Sequence, residues 1–416
     1  MKNGLTKVTA SLGSEVWSLI AAAFIVALGF GLIAPVLPQF AKSFGLGITA
    51  ATVVVSSFAF CRLITAPVGG RLVDRLGERR VYVTGLLIVA VSTAAVSAAQ
   101  SYWQLLIFRG MGGFGSALFT ISAMSLVMRL APPNARARAS SLYATAFLIG
   151  NIAGPVIGGL MAGLGMRVPF IVYAVVLLLA ASVVHIRLRS LSLHTTEIAN
   201  VANEIPADRE SERDNTDTPR KFSVAWRLPA FRCLLGSGLV NGWSSMGFRV
   251  AIYPLFAVAV LGAQAASAGT ALTIFAVGNV IGVTIVGRFS DTWGRKPFIV
   301  SGLVTTGVAT IVIGLSTQVI IFWVLSAVAG FGAGLLNPAQ QAVIGDILNG
   351  KKAGIVLSSF QMAVDTGVIL GPIICGWIAD TFGYTYAFIA TGTLALLVAA
   401  LWSFTQDTLR PRHGTI

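Results

Sequence analysis

The stretch that decides the fold runs from Gly70 to Arg80 and reads G-R-L-V-D-R-L-G-E-R-R, between two long apolar runs. It returns from Gly287 to Lys296 as G-R-F-S-D-T-W-G-R-K, so that position 287 corresponds to position 70. The sequence therefore predicts two copies of one structural unit. The same displacement also relates Gly113-Phe114 to Gly330-Phe331, Gly150 to Gly367, and Gly154-Pro155 to Gly371-Pro372.

Each copy has the composition of a membrane protein. Over 416 residues, 56% are hydrophobic and 11% are charged, with a mean hydropathy of +0.83. A bilayer core of ~30 Å requires ~20 apolar residues of a helix that crosses it. We therefore predict an all-α integral membrane protein with about twelve spans, six in each half. Their predicted limits are 15–38, 48–69, 81–99, 103–128, 140–163 and 168–187, then 231–260, 266–287, 298–316, 319–346, 353–378 and 385–405.

The basic residues predict the orientation of these spans, because short cytoplasmic loops accumulate Lys and Arg. With the N-terminus inside, 24 of the 29 basic residues fall in cytoplasmic segments, whereas only Lys42 and Arg167 fall outside. Both termini are therefore predicted to be cytoplasmic. Topology accounts for the net charge of +14, so no nucleic-acid partner is expected.

Residues 190–229 contain the one long polar tract, which is rich in Glu and Asp. We predict a cytoplasmic linker there, between an N-terminal bundle (residues 1–189) and a C-terminal bundle (residues 230–416). The three cysteines, Cys61, Cys233 and Cys375, are scattered singly. Neither a disulfide framework, nor a metal site, nor a cofactor is expected.

Four motifs give the chain a family resemblance. The loop after span two matches G-x-L-x-D-R-x-G-R-K-x, although Glu78 stands where a base is usual, and the second copy restores that base as Arg295. Leu28–Pro38 reads L-G-F-G-L-I-A-P-V-L-P, and Arg109 begins an R-x-x-x-G stretch in span four. Span five contains G-x-x-x-G-P-x-x-G-G, formed by Gly150, Gly154, Pro155, Gly158 and Gly159. The chain resembles the major facilitator superfamily, and within it the twelve-span drug:proton antiporters.

The resemblance implies a conformational switch at the signature loops. Asp74 would lie near the N-terminus of span eleven, where the helix dipole favours an anion, with Arg75 or Arg129 as charge partners. The alternative is a loop that is held rigid by its own turn, with Gly77 supplying the backbone freedom. The predicted switch residues are Gly70, Asp74, Arg75, Gly77, Arg79, Arg129, Gly287, Asp291 and Gly294.

The span-five motif is associated in the family with exporters. Gly150, Gly154 and Gly158 share one helical face, where small residues let helices approach closely, and Pro155 removes a backbone hydrogen bond. We expect this helix to be close-packed at the contact between the halves, where it would restrict leak. Ordinary helix packing is the alternative.

Four charges within spans are candidates for proton coupling: Arg62, Arg109, Arg249 and Asp365. A charge in hydrocarbon costs roughly 3 kcal/mol on insertion scales, so it usually has a function. Because spans two and eleven face each other in the family, Asp365 is expected to meet Arg62 and to carry the coupling proton. A permanent salt bridge is the alternative. Arg109 resembles the family's proton-relay position, although it could instead pair with backbone carbonyls.

The family's substrate cavity is lined by spans one, four, seven and ten. A mixture of aromatic and amide side chains on those spans suits an apolar or cationic amphiphile. The candidate residues are Phe30, Phe114, Asn241, Trp243, Phe331, Asn337 and Gln341.

The sequence thus predicts a secondary transporter, and not an enzyme, that exports small drug-like compounds by proton antiport and alternating access. An ATP-driven pump would need a phosphate-binding loop, which the sequence lacks. An importer or facilitator of a sugar or other metabolite is the alternative on the same fold. We expect a monomer in a bacterial plasma membrane, since 22 Arg against 7 Lys suits a GC-rich bacterial source.

Overall fold

The computed structural model of the protein describes residues 12–131, 135–187, 226–348 and 354–408, and every regular element in these ranges is helical. The predicted linker falls outside the described residues from 190 to 225. A short helix, Leu37–Lys42, lies between the first two membrane helices. Numbered by their spans, the membrane helices are α1 (Ser14–Ile33), α2 (Ile48–Leu76), α3 (Glu78–Ala98), α4 (Tyr102–Leu130), α5 (Arg136–Ala162), α6 (Val168–Arg187), α7 (Pro229–Asn241, Gly242–Phe248 and Arg249–Ala259), α8 (Ala265–Trp293), α9 (Lys296–Leu315), α10 (Val319–Leu348), α11 (Gly354–Phe382) and α12 (Tyr384–Ser403).

The predicted all-α membrane fold is confirmed, with one change in span seven. Within the described residues, eleven helices are long and apolar enough to cross a bilayer. The twelfth span, α7, changes to π-helical geometry over Gly242–Phe248, so neither of its α-helical parts spans alone. Single π turns inside α-helices are frequent at functional sites.

The signature stretch is more helical than its charge suggests. Helix α2 continues through Gly70 and Asp74 to Leu76, and α3 begins at Glu78. Only Gly77 between them leaves helical geometry, with φ of 82°, and Gly294 does the same between α8 and α9 with φ of 94°. Only glycine adopts this backbone region without strain. Both copies of the stretch therefore make the same sharp turn.

The helices present apolar side chains outward, as a bilayer requires. On α6, the exposed residues recur every three or four positions and form a stripe along the helix. The stripe consists of Ile171, Val175, Leu178, Leu179, Val183 and Ile186.

The described residues form two compact units. The first comprises Met1–Ile33 and Ser57–Glu212, and the second comprises Ala34–Ser56 and Arg213–Ile416, each over its described residues. The beginning of α2, from Ile48 to Ser56, therefore belongs to the unit that contains α7 to α12. The predicted bundle limits at residues 189 and 230 stay a prediction.

Within the first unit, α5 packs on α1 through the glycines of the span-five motif. A Cβ at Gly150, Gly154 or Gly158 would overlap backbone atoms of α1, around Phe24 and Leu32. Because helices in lipid associate by van der Waals contact, small residues bring their backbones together. The motif therefore packs α5 within its own unit, on α1. In the second unit, Gly367 and Gly371 of α11 approach the backbone of α7 in the same way.

The second unit has a core of large side chains between α7, α9, α10 and α12. Phe231, Ile299 and Trp402 are fully buried there. A second cluster of aromatic rings begins at the end of the π segment, where Phe388 contacts Phe248 and Phe256 with ring centroids 4.8 and 4.7 Å apart. These contacts fix α7 on both sides of its irregular turn.

We predict that Gly154→Ala lowers the thermal stability of the purified protein in detergent, because the added methyl group would overlap the carbonyl oxygen of Leu28. Overpacking of this kind costs about 1–3 kcal/mol. The control is Gly345→Ala on α10, where a Cβ would meet nothing within 4 Å. Equal melting temperatures for the two variants would contradict the proposed packing role of Gly154.

Candidate functional site

The two signature turns carry equivalent ion pairs of opposite sense. Nη1 of Arg129 lies 2.8 Å from Oε2 of Glu78, and Ser125 donates to the other carboxylate oxygen. In the second copy, Nε of Arg295 lies 3.4 Å from Oδ2 of Asp346. The repeat relates position 295 to position 78 and position 346 to position 129, so the acid and the base have exchanged places. The unusual acid at position 78 is thus explained, because its partner Arg129 is a base.

A basic residue next to each ion pair binds the end of the last helix in its half. Nη2 of Arg79 donates to the carbonyl oxygen of His185 at 3.0 Å, and Nζ of Lys296 donates to that of Ser403 at 2.8 Å. The last carbonyls of a helix lack partners in the helix and carry partial negative charge. Each signature turn is therefore fixed to the C-terminal end of α6 or α12.

In the second unit, an aspartate also caps the helix that follows the signature turn. The carboxylate of Asp407 accepts hydrogen bonds from the backbone N–H groups of Arg295 and Lys296, both at 3.2 Å. A Cβ at Gly294 would overlap this carboxylate, so position 294 needs glycine for space as well as for conformation. A cavity of about 730 Å³ lies beside Asp346 and Asp407, away from the predicted substrate residues.

The remaining predicted switch residues lie at the same helix ends. Asp74 and Arg75 are exposed in the last turn of α2, and both Gly70 and Gly287 face open space. The side chain of Asp291 lies outside the described residues. Arg129 is bound to Glu78, and the contact of Asp74 with the start of α11 stays a prediction.

Two arginines within the spans, the buried Arg109 and the half-buried Arg249, lie against equivalent phenylalanines. The guanidinium carbon of Arg109 lies 4.1 Å from the ring centroid of Phe58, and that of Arg249 lies 3.6 Å from the centroid of Phe275. Phe275 is the repeat equivalent of Phe58, because the two positions are displaced as Gly287 is from Gly70. Cation–π attraction is strongest where water is excluded, so each ring compensates part of a buried charge.

The two arginines differ in their hydrogen bonds. Nε of Arg249 donates to the carbonyl oxygen of Ser245 at 2.8 Å, within the π segment. Nε of Arg109 is buried and has no hydrogen-bond partner among the described residues. Phe30, predicted to line the cavity, contacts the ring of Phe58, with the two centroids 6.1 Å apart. These residues place a cation and two aromatic faces together within the first unit.

Asp365, the predicted proton carrier, lies half-buried on α11. Its Oδ1 accepts a hydrogen bond from Nε2 of Gln361 at 3.0 Å, one helical turn earlier. The carbonyl of the preceding residue, Val364, packs against Gly242 at the start of the π segment. Arg62 is an exposed residue of α2 in the other unit, and its pairing with Asp365 stays a prediction.

Amide side chains of the predicted cavity form a hydrogen-bonded chain in the second unit. Asn241 donates to Oδ1 of Asn337 at 2.6 Å, and Gln340 donates to the hydroxyl oxygen of Ser237 at 2.9 Å. A longer bond of 3.5 Å joins Asn241 to Gln340. Oδ1 of Asn241 is buried without a hydrogen-bond partner among the described residues.

Sequence reasoning misses part of this chain. Ser237 is absent from the predicted site, although its spacing of four residues from Asn241 places both on one face of α7. The predicted Gln341 is exposed, whereas its neighbour Gln340 is fully buried. Trp243 packs on Gly371, and its indole N–H donates to Thr391 at 3.2 Å. Phe114 is 41% exposed, and Phe331 is half-buried.

Two halves of repeated membrane helices, with charged and amide side chains inside the spans, define the class of secondary transporters. The chain belongs to the Major Facilitator Superfamily, whose sequence model matches residues 19–251 and 234–415. It is a multi-pass membrane transporter of small molecules and not an enzyme.

Similar proteins are known from bacteria. Multidrug resistance protein 1 of Bacillus subtilis (strain 168) is 27% identical over 378 residues, covering 90% of this chain and 92% of that protein. Quinolone resistance protein NorA of Staphylococcus aureus (strain MRSA252) is 23% identical over 393 residues, covering 94% and 96%.

Solved structures show the same fold at low sequence identity. The crystal structure of a bacterial homolog of the human lysosomal transporter Spinster superposes with a TM-score of 0.74 at 17% identity, covering 93% of this chain and 95% of that one. That of a D-xylose-proton symporter gives 0.69 at 16% identity, covering 94% and 98%.

We predict that Glu78→Arg destabilises the protein and that the double variant Glu78→Arg/Arg129→Asp recovers stability, since it reproduces the polarity of Arg295 and Asp346. The side chain of Arg129 is 56% exposed, so the coupling should lie in the range of about 0.2–1 kcal/mol. Thermal melting of the two variants, of Arg129→Asp and of the wild type gives the coupling energy. Additive effects of the two substitutions would show that the pair does not interact.

Proposed function

We propose that the chain exports hydrophobic or cationic drug-like molecules across a bacterial plasma membrane in exchange for protons. The observation that carries this proposal is the similarity along nine-tenths of the chain to proteins named for multidrug resistance. The glycine motif of α5, which the family associates with exporters, supports the same direction of transport.

The chemistry of the described residues suits such a substrate. Phe114 in the first unit and Phe331 in the second offer aromatic surface that is not buried by their own units. The amide oxygen of Asn337, an exposed residue bonded to Asn241, would accept a hydrogen bond from an ammonium or amide group. Aromatic faces attract cations, and apolar pockets with few polar groups bind drug-sized molecules.

Proton coupling is assigned to Asp365. It is the only carboxylate near the middle of a predicted span, and Gln361 can stabilise either protonation state, because an amide both donates and accepts hydrogen bonds. A cation near a buried carboxylate favours its charged form, whereas its removal favours proton uptake. In one conformational state, a cation near Asp365 would displace the proton; this cation could be the drug, Arg62 or Arg249. In the other state, the cation would move away and the carboxylate would take up a proton again.

The two arginines that lie against phenylalanine rings have a supporting role in this proposal. Phe58 and Phe275 hold the guanidinium groups of Arg109 and Arg249, which form no ion pair with a carboxylate of the described residues. The unsatisfied Nε of Arg109 makes this residue the more suitable proton-relay candidate, because it can still orient a water molecule or a ligand. We propose both termini to be cytoplasmic and the transporter to act as a monomer.

One observation favours the alternative of a sugar or metabolite carrier. The chain of Ser237, Gln340, Asn241 and Asn337 carries several donors and acceptors, which is the chemistry that binds hydroxyl groups. An importer of this kind would show proton or substrate movement with sugars and none with drugs.

We predict that drugs dissipate an acid-interior proton gradient in inverted membrane vesicles that contain the wild type, and that Asp365→Asn slows the response at least about tenfold by removing the exchangeable proton. Asp365→Glu is the matched control, because it keeps the carboxylate and should retain part of the activity. A fluorescent pH indicator inside the vesicles follows the gradient.

A drug response that survives in Asp365→Asn would place the coupling group elsewhere. A response to sugars alone would replace the proposed drug exporter by the metabolite carrier.

A further inference from the structure

The aspartate in the last turn of α11 caps the beginning of α2. The carboxylate of Asp380 accepts hydrogen bonds from the backbone N–H groups of Ile48 and Thr49, both at 2.7 Å, and from the hydroxyl of Thr49 at 2.6 Å. All three residues belong to the second compact unit. The first N–H groups of a helix lack partners in the helix and attract anions, so this carboxylate is well placed.

The contact continues along both helices through small and polar residues. Thr52 lies against Gly376, where a Cβ would overlap the threonine hydroxyl, and Ser56 donates to the carbonyl oxygen of Ile369 at 2.8 Å. Contacts that advance along α2 move backward along α11, so the two helices are antiparallel here. Thr49, Thr52 and Ser56 share one face of α2.

The described contacts across this interface are made by polar groups and small residues. Asp380, at the end of this interface, is exposed to solvent. Thr52 and Ser56 are nevertheless buried, at 0% and 2% exposure. A polar interface at a helix end can rehydrate when it opens, whereas an apolar core cannot do so without a large cost.

We propose that α2 and α11 form a reciprocal latch, by which we mean that each helix has in its last turn an aspartate whose carboxylate can cap the first N–H groups of the other. The cap by Asp380 closes the transporter on the side of the membrane at which α2 begins. The cap by Asp74 closes it on the opposite side, at the start of α11. The two latches are engaged alternately, and Asp380 is engaged in this structure. This inference rests on the proposed alternating access of the transporter and adds a second gate to the signature-loop switch.

The latch belongs to one helix pair only. The repeat places Gly163 at the position equivalent to Asp380, and glycine has no side chain to cap a helix. The equivalent pair, α5 and α8, therefore lacks this carboxylate. Gly47, just before α2, leaves room for the cap, since a Cβ there would lie 2.8 Å from Oδ2 of Asp380.

The test measures how accessible a cysteine at position 52 is to a reagent outside the cell, and therefore needs no substrate. A single cysteine is introduced as Thr52→Cys after Cys61, Cys233 and Cys375 have been replaced by serine. The hydroxyl of Thr52 donates to the carbonyl oxygen of Thr49 within α2, so this change leaves the bonds across the interface intact. A membrane-impermeant, positively charged methanethiosulfonate is added to intact cells, and the labelling rate is measured.

We expect Asp380→Asn to raise the labelling rate about tenfold, because charge-assisted hydrogen bonds to α2 are weakened and the open state becomes more populated. Asp74→Asn should lower the rate, since it weakens the opposite latch. Thr385→Val is the control, because it removes a hydrogen bond between α12 and α9, from the Thr385 hydroxyl to the carbonyl oxygen of Gly314 at 3.0 Å, and should leave the rate unchanged. A cysteine at the exposed Ser43 must be labelled in every variant, which also tests the predicted topology.

An unchanged rate in Asp380→Asn would overturn the proposal, as would an equal rise in Thr385→Val, which would indicate general loosening. A rise in Asp74→Asn would contradict the reciprocal relation. Thr49→Val, which removes only the hydroxyl contact, should give an intermediate rate, and it serves if Asp380→Asn fails to fold. Because drugs are absent from this assay, failure of the latch is distinguishable from failure of drug transport.

Discussion

Helices in a bilayer gain little from hydrophobic attraction to one another, because lipid is as apolar as their side chains. The structure depends on what replaces that attraction, which is the close approach of backbones at glycine. Gly154 brings α5 onto α1, and Gly371 brings α11 onto α7 in the same manner. Both contacts are fixed by the absence of a side chain, so they form rigid pairs within each unit. We expect the motion that transport requires at helix contacts that polar groups also hold together.

Such polar contacts are found at the helix ends. Asp407 binds the start of α9, Asp380 binds the start of α2, and Arg79 and Lys296 bind the ends of α6 and α12. Charges at helix ends are stabilised by the dipole and remain close to water, so they can be exchanged at modest cost. The contacts of Arg79, Lys296 and Asp407 hold the signature turns in place. The cap by Asp380 differs, because it joins helices far apart in the chain through a polar surface.

The repeat, the spans and the turn glycines were predictable, because the recurrence of the Gly70 stretch at Gly287 and the hydrophobic runs are visible in the sequence itself. The helical conformation of Gly70 and Asp74 was not predictable. The charged residues suggested a loop, whereas α2 extends beyond the apolar run. The π segment of α7 leaves no periodic signal, and the exchange of charge between Glu78 and Asp346 becomes clear only when their partners are known. Asp380 has the sequence context of an ordinary charge at the end of a span. Its neighbours in the sequence therefore give no signal of a hydrogen bond to a residue 332 positions away.

The proposed transport depends most on the exchange of drug and proton at one carboxylate inside the membrane. The most direct measurement is proton release from the purified protein in weakly buffered detergent when a lipophilic cation is added. We predict release of about one proton per bound cation from the wild type when binding is measured over a range of pH, and binding without release in Asp365→Asn. Equal release from both proteins, or tight binding without release by the wild type across the accessible pH range, would contradict it.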